Sequence, residues 1–512
     1  MMRRSLFCGI LLVALGLGCG GWLRADGSGP QGVRAPAVAG QFYPGDGKTL
    51  TAALDGFLRD AIAPSGERPI ALIAPHAGYA FSGQIAADAW RQTSGHSYDI
   101  IVLLGTNHTT AGSRSIGVFT GSGLRTPLGV VAVDQPLSAR LIEEDADCVA
   151  DAGVHAREHS IEVHLPFVQR LFPDARVVAA IVSSEDAAVL TRFGRALAKV
   201  LSGRQALIVA SSDLSHYPSA KDAVVADART LGAFASLDVE RVRAAMAFAT
   251  PGAGSLSTCA CGDAPVMAAM IAAKALGAVR GRVVSYANSG DVAVGESDRV
   301  VGYGAVVFSA GRPGADTTAV AARGAVPPDA PLPESDKKQL LSLARETIRR
   351  YLESGMLPLA RGLSAAADRQ QGAFVTLRKK GELRGCIGQM QPDAPLRRLV
   401  GTMALAAAFE DRRFDKVRAA ELKDIEVEIS VLTPFKPVPG PESVVVGRDG
   451  VLLRKDGSSA VFLPQVATEE HWTRDVMLDN LCTKGGLQQG CWRTGAKLFT
   501  FQADVFGERE FK

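Results

Sequence analysis

The chain has 512 residues, more than one ordinary core can fill, so two or more domains plus tails are expected. Its 56 Lys and Arg against 53 Asp and Glu give a formal net charge of +3 with no basic block, which removes the electrostatic case for nucleic acid and leaves a small molecule or a peptide as the partner to look for. Apart from Cys8 and Cys19, the cysteines are Cys148, Cys259, Cys261, Cys386, Cys482 and Cys491, too few in so long a chain for a disulfide scaffold, and spacing does not reveal their pairing.

Met1-Met2-Arg3-Arg4 precedes an apolar stretch over residues 6–19. A basic head and an apolar segment of this length read as an export signal rather than a membrane span, and residues 1–27 are assigned to it. Gly18-Cys19 resembles the end of a lipobox, where cleavage leaves a cysteine that carries lipid, although Gly16 stands where that motif prefers Leu. Ordinary cleavage near Ala25 and an uncleaved anchor are the alternatives. The expectation is an exported protein, periplasmic or membrane-anchored, that meets a membrane only through this signal or a lipid anchor.

Residues 28–308 form the first expected domain, in which aliphatic strands alternate with Ala-rich helices. Three apolar runs each stop at would-be metal ligands: residues 69–74 run into Pro75-His76-Ala77-Gly78-Tyr79, 100–104 into Gly105-Thr106-Asn107-His108, and 206–210 into Ser211-Ser212-Asp213 with His216. Each run is apolar on both parities, which predicts strands of a mostly parallel sheet covered by helices on both faces. The carboxyl ends of neighbouring parallel strands open into one crevice, so His76, His108, Asp213 and His216 can meet although long stretches separate them. Further strands are expected at 177–182, 283–286 and 300–308, and a helix over 265–276 with Gly277 after its end.

Neutral imidazole and thiolate suit iron, copper or zinc, and a site with open coordination positions can polarise a substrate. In Glu158-His159-Ser160-Ile161-Glu162-Val163-His164 the spacing is not that of the His-Glu-x-x-His zinc signature, but His159 and Glu162 would share a face on a helix, one orienting or deprotonating substrate and the other supporting it. Cys261 precedes a helix, where a thiolate is electrostatically favoured; an inert buried cysteine is the plainer alternative.

Residues 309–334, rich in Gly, Pro, Ala and Thr, read as a flexible linker able to hold the flanking domains at millimolar effective concentration. Asp336 and Gln339 resemble a capping box, with Leu340, Ala344, Ile348 and Leu352 on one helical face ending before Gly355. Residues 335–512 are otherwise rich in strands, with a hairpin expected between Val444-Val445-Val446 and Val451-Leu452-Leu453 and a strand after Asp456-Gly457, an α+β layout. Cys386, in a Gly-Cys-Ile-Gly turn near Arg384 and Arg412, is a candidate nucleophile or part of an anion pocket; a packed small thiol is the plainer reading.

Gln41-Phe42-Tyr43-Pro44, Ala74-Pro75-His76-Ala77-Gly78-Tyr79, Gly105-Thr106-Asn107-His108, Arg125-Thr126-Pro127-Leu128-Gly129, Glu158-His159-Ser160 through His164-Leu165-Pro166, Ser211-Ser212-Asp213 with His216, and Cys261-Gly262 follow the order found in the Memo family, which this half of the chain resembles. The resemblance implies the fold of class III extradiol dioxygenases, non-haem iron enzymes, with metal ligands His76, His108 and Cys261. It implies Asp213 and His216 beside the metal, His159 and Glu162 behind them, and Tyr79 and Asn107 as substrate contacts. Fe(II) is the implied cofactor, with Cu or Zn as alternatives. Leu383-Arg384-Gly385-Cys386-Ile387-Gly388, Ala408-Phe409-Glu410-Asp411-Arg412-Arg413-Phe414, and Phe462-Leu463-Pro464-Gln465-Val466 with the 481–487 segment resemble the AMMECR family. The two families occur with a radical SAM protein in the AmmeMemoRadiSam group, which implies such a protein as partner. The resulting expectation is a metal-dependent oxidoreductase, with a binding scaffold without turnover or a zinc-dependent hydrolase as rivals.

Overall fold

The computed structural model describes residues 32–247, 256–311, 331–392 and 394–511. The expected export signal and most of the linker lie outside the described residues.

The first domain is built on an eight-stranded sheet in the order Arg280–Asn288, Gly302–Ser309, Pro69–Ala74, Ala206–Ser211, Ile100–Thr106, Arg176–Val182, Ile116–Val118, Cys148–Ala150. The four strands from Pro69–Ala74 to Arg176–Val182 are mutually parallel; antiparallel pairings close the sheet on either side. Alternate residues explain why the strands are apolar on both parities. Ala71, Ile73, Val102, Leu104, Ile208 and Ala210 join one core layer with the helices Ala187–Leu201 and Asp263–Ala275. Leu72, Ala74, Ile101, Leu103, Leu207 and Val209 join the opposite layer with the helices Gly47–Arg59 and Tyr79–Arg91.

The second domain holds two four-stranded antiparallel sheets. In the first, Glu382–Gln389, Ala373–Lys379, Ile425–Leu432 and Ala503–Gly507 pack under the helices Glu334–Ser354 and Leu396–Phe409. The second, Lys436–Val438, Lys497–Phe501, Gly450–Lys455 and Ser458–Phe462, packs on the helix Arg474–Lys484, where a disulfide joins Cys482 to Cys491. No helix among the described residues is long and apolar enough to cross a membrane.

Two local expectations are corrected. The hairpin runs from Gly450–Lys455 to Ser458–Phe462 around Asp456 and Gly457, both at positive φ, while Val444 follows a short 3-10 turn instead of forming a strand. Asp456-Gly457 is the stronger turn signal because both central positions of a tight two-residue turn need positive φ. Asp336 lies inside the first turn of its helix and is buried, accepting from Ser364 N at 3.0 Å and from Ser364 Oγ at 2.6 Å, so it ties down a distant loop rather than capping its own helix.

The two domains also touch directly. Arg361 grips the fully buried Asp88 with two nitrogens, Nη1 to Oδ1 at 3.0 Å. Arg350 donates to Gln84 and pairs with Asp60. Arg397 pairs with Asp291 at 3.0 Å, Arg398 donates to Gly295 O at 2.8 Å and Thr402 to Ala293 O at 2.5 Å. An arginine-bearing face of the second domain thus docks onto carboxylates and carbonyls of the first.

Candidate metal centre

Pro69–Ala74, Ala206–Ser211 and Ile100–Thr106 are adjacent and parallel, so the chain leaves all three at one edge of the sheet. His76, Asp213 and His108 each follow their strand by two residues. Cys261 arrives from the loop before the helix Asp263–Ala275. Gly262 makes that approach possible: a Cβ there would stand 2.3 Å from Ser211 O, inside any allowed contact. Gly262 N donates to Ser212 Oγ at 3.0 Å and Cys261 N to Asp213 O at 3.3 Å, which seats the cysteine on the strand end.

Ligand-capable atoms of His76, His108 and Cys261 all lie within 4.8 Å of one another, and those of Asp213, His216 and Cys261 do likewise. His76 Nε2 is 3.2 Å from Cys261 Sγ. Partners behind the rings orient them. Glu158 Oε1 takes His108 Nδ1 at 3.0 Å and stands 3.3 Å from His159 Nδ1, while Oε2 takes His108 N at 2.7 Å. Asp213 Oδ1 accepts from His76 N at 2.8 Å and Ala77 N at 3.3 Å, and Oδ2 is 4.0 Å from His76 Nε2. His216 Nδ1 donates to Leu214 O at 2.8 Å. The rings of His108 and His159 stack at 4.6 Å, and Phe42 meets His159 edge-on at 4.8 Å.

The electrostatics are those of a buried cluster. Burial, reinforced by the neighbouring histidines, pushes His76 well below the ordinary imidazole value, so its ring is neutral. Burial works against ionisation of Glu158, but hydrogen bonds and charge from His108 win and bring it to about 2. Burial pushes Asp213 up to about 6 against the amides that hold it. Burial and the Asp213 carboxylate also raise the Cys261 thiol well above its usual range. That corrects the expectation of a thiolate favoured by the helix start: desolvation outweighs the helix, and deprotonation here calls for a cation.

The sequence candidates fall into two groups. His76, His108, Cys261, Asp213, His216 and His159 converge. Glu162 does not serve substrate: it is fully buried, accepts from Ala37 N, Val38 N and Tyr43 Oη, and pairs with Arg34 at 2.8 Å, so neither oxygen is open. Its segment is a 3-10 turn, Glu162–His164, that excludes His159, so the two share no helical face. Tyr79 is buried with its hydroxyl donating to Val163 O at 2.6 Å, a structural contact. The Asn107 side chain folds its own loop, accepting from Thr109 N and Thr110 N and donating to Thr110 O. In the second domain Cys386 is held by Asp411, which accepts its amide at 2.9 Å, and Arg413 reaches its carbonyl at 3.1 Å. Arg384 is instead committed to Glu421 at 2.8 Å.

Sequence reasoning missed Glu158, Ser211 and His164 as working parts. Glu158 was legible as an acidic residue adjoining His159, but nothing in the sequence says that it, and not Glu162, holds His108.

Residues 34–307 match the family model described as Memo-like protein, and residues 341–506 match that described as AMMECR1. A MEMO1 family protein of Aeropyrum pernix is 38% identical over 287 residues, covering 54% of this chain and 99% of the relative. One from Aquifex aeolicus is 36% identical over 278 residues with the same coverage. Among solved structures, the uncharacterized protein PH0010 from Pyrococcus horikoshii is 34% identical, covering 34% of this chain and 91% of its own, with a TM-score of 0.32.

Proposed function

From a chain that belongs to the Memo family over residues 34–307 and carries an AMMECR1 domain over 341–506, we propose a metal-dependent oxidoreductase that uses Fe(II) at His76, His108 and Cys261. The observation that carries this reading is the convergence of two imidazoles and a sulfur within 4.8 Å at the carboxyl edge of the sheet. The donor set fits: each imidazole has its Nδ1 engaged, by Ser211 or Glu158, which leaves Nε2 for a cation. A bound Fe(II) would supply Lewis acidity and one-electron chemistry at this place.

The chain's own groups do the rest. His108 and His159 keep 29% and 19% of their side chains exposed, so substrate enters from their side while His76 forms the buried floor. His216, with Nδ1 tied to Leu214 O, offers Nε2 to take or return a proton, and the Asp213 carboxyl lies beside it. Phe42 against His159 limits water at the rim.

Two imidazoles and a thiolate suit zinc as well, and this favours zinc-dependent hydrolysis as the second reading, with Asp213 or His216 activating water. Glu162 is unavailable for that role because its oxygens are fully engaged. Export is part of the proposal, supported by the basic and apolar N-terminal pattern and by the Cys482–Cys491 disulfide, which suits an oxidising compartment. A radical SAM protein acting in the same pathway, on a small molecule or peptide, completes it.

The test is metal content and spectroscopy on protein purified without oxygen, beside His76→Ala and Cys261→Ala. Near-stoichiometric Fe(II), lost in both variants and changed in spectrum by nitric oxide, is the expected result. Zinc in a site indifferent to nitric oxide moves the assignment to hydrolysis or to a binding scaffold, and a Cys261→Ser protein with undiminished iron removes the cysteine from the ligand set.

A further inference from the structure

Behind His76 runs a chain of buried polar groups that neither the ligand set nor substrate contact explains. Trp90 Nε1 lies 3.4 Å from His164 Nδ1, His164 Nε2 lies 2.9 Å from Ser211 Oγ, Ser211 Oγ lies 2.6 Å from Ser160 O, and His76 Nδ1 lies 2.7 Å from the same Ser211 oxygen. Trp90, His164, Ser211 and His76 are each no more than 2% exposed. Water therefore does not contribute to the count of donors and acceptors, and the count can be closed from the residues alone.

It closes in one way. An indole nitrogen only donates, so His164 Nδ1 accepts and carries no proton; the ring proton is then on Nε2 and goes to Ser211 Oγ. Ser160 O only accepts, so the one hydroxyl proton of Ser211 is spent on it. The remaining lone pair of the Ser211 oxygen can only receive, and His76 Nδ1 must therefore donate to it. His76 is then protonated on Nδ1, and its Nε2, the nitrogen 3.2 Å from Cys261 Sγ, carries the lone pair. The opposite tautomer would set two lone pairs against each other at 2.7 Å in a dry interior.

We propose that Ser211, backed by His164 and Trp90, is a positioning residue that holds His76 in the single tautomer able to ligate through Nε2. Ser211 is well placed for this. It ends the strand Ala206–Ser211, beside the strand that leads to His76, and pairs with Ala74 in the parallel register. Its side chain therefore points from a rigid element rather than a loop. The tautomer rests on the hydrogen bonds alone. Its consequence for a cation rests on the metal reading above, and the two are measured separately.

The first measurement is nitrogen-15 NMR of the histidine rings in metal-free full-length protein at neutral pH. His76 with Nδ1 protonated and Nε2 bare, and His164 with the reverse pattern, is the expected result; a His76 protonated on Nε2 overturns the proposal, whatever the metal. The second is Zn²⁺ affinity by chelator competition. Ser211→Ala is expected to lose about 10- to 100-fold in affinity, as outer partners of metal-bound histidines typically do, with His76 becoming a mixture of tautomers. Trp90→Phe, which keeps the bulk of the core, is expected to mix the tautomers of His164 with a smaller loss of affinity. A folded Ser211→Ala protein whose His76 keeps a single tautomer refutes the positioning role. One whose tautomer mixes while Zn²⁺ affinity stays at the parent value keeps the hydrogen-bond assignment but refutes the ligation half of the proposal.

Discussion

Replacing Glu162 by Ala separates architecture from chemistry in the His159–His164 segment. Glu162 Oε2 takes Ala37 N at 2.7 Å and faces Arg34 Nη1 at 2.8 Å; Oε1 takes Val38 N at 3.0 Å and Tyr43 Oη at 2.7 Å. The carboxylate is fully buried and the Arg34 side chain is 8% exposed. Truncation therefore leaves a guanidinium in the interior with two amides and a phenol unpaired. Breaking a buried pair from one side costs about 3–5 kcal/mol, and the orphaned neutral donors share that sum rather than add to it. Arg34 keeps its bonds to His155 O and Glu158 O, both at 2.6 Å, which places the expected loss near the middle, about 4 kcal/mol. Glu162→Gln, which retains an acceptor, is expected to lose about 2 kcal/mol. Urea unfolding read as a midpoint shift at constant slope measures both, and Arg34→Met in a double-mutant cycle should show coupling of at least about 2 kcal/mol. A Glu162→Ala protein within about 1 kcal/mol of the parent that nevertheless fails to bind metal would overturn this reasoning and return Glu162 to the centre.

Three further outcomes follow from named contacts. Glu158, with its folded value brought to about 2 from an ordinary 4.5, contributes stability that is fully present above about pH 4.5 and lost as pH falls towards 2, about 3 kcal/mol in all; Glu158→Gln should flatten the acid limb of a stability curve across that window, and an unchanged limb would contradict the assignment. Gly262→Ala puts a methyl against Ser211 O and Ser212, so the Cys261 loop must move; it should cost about 1–3 kcal/mol and weaken Zn²⁺ binding, checked by urea unfolding and chelator competition. Asp88→Ala removes the buried acceptor of Arg361 and of Ile62 N, and with the Arg361 side chain 30% exposed the loss is discounted to about 2 kcal/mol; urea unfolding of the full chain checks it, and a midpoint equal to the parent's would contradict the docking contact.

What the sequence determined by itself was set by local pattern. Runs apolar on both parities, such as residues 69–74 and 100–104, can be stable only between two layers, so the covered parallel sheet was readable before any coordinate. Parallel neighbours end together, so residues placed just past those runs had to share an edge, which is why His76, His108 and Asp213 could be grouped from sequence. Tertiary structure alone decided which of two nearby acids holds His108: Glu158 and Glu162 look alike in the sequence, but one faces His108 and the other faces Arg34 across the chain. It also decided that Ser211 stands behind His76, that Arg361 seats the second domain on Asp88, and that burial outweighs the helix start at Cys261. The physical reason is common to all of these. Periodicity records only whether a side chain is buried, whereas the partner of a buried polar group is chosen by residues far away in the chain, through distances that only the folded backbone fixes.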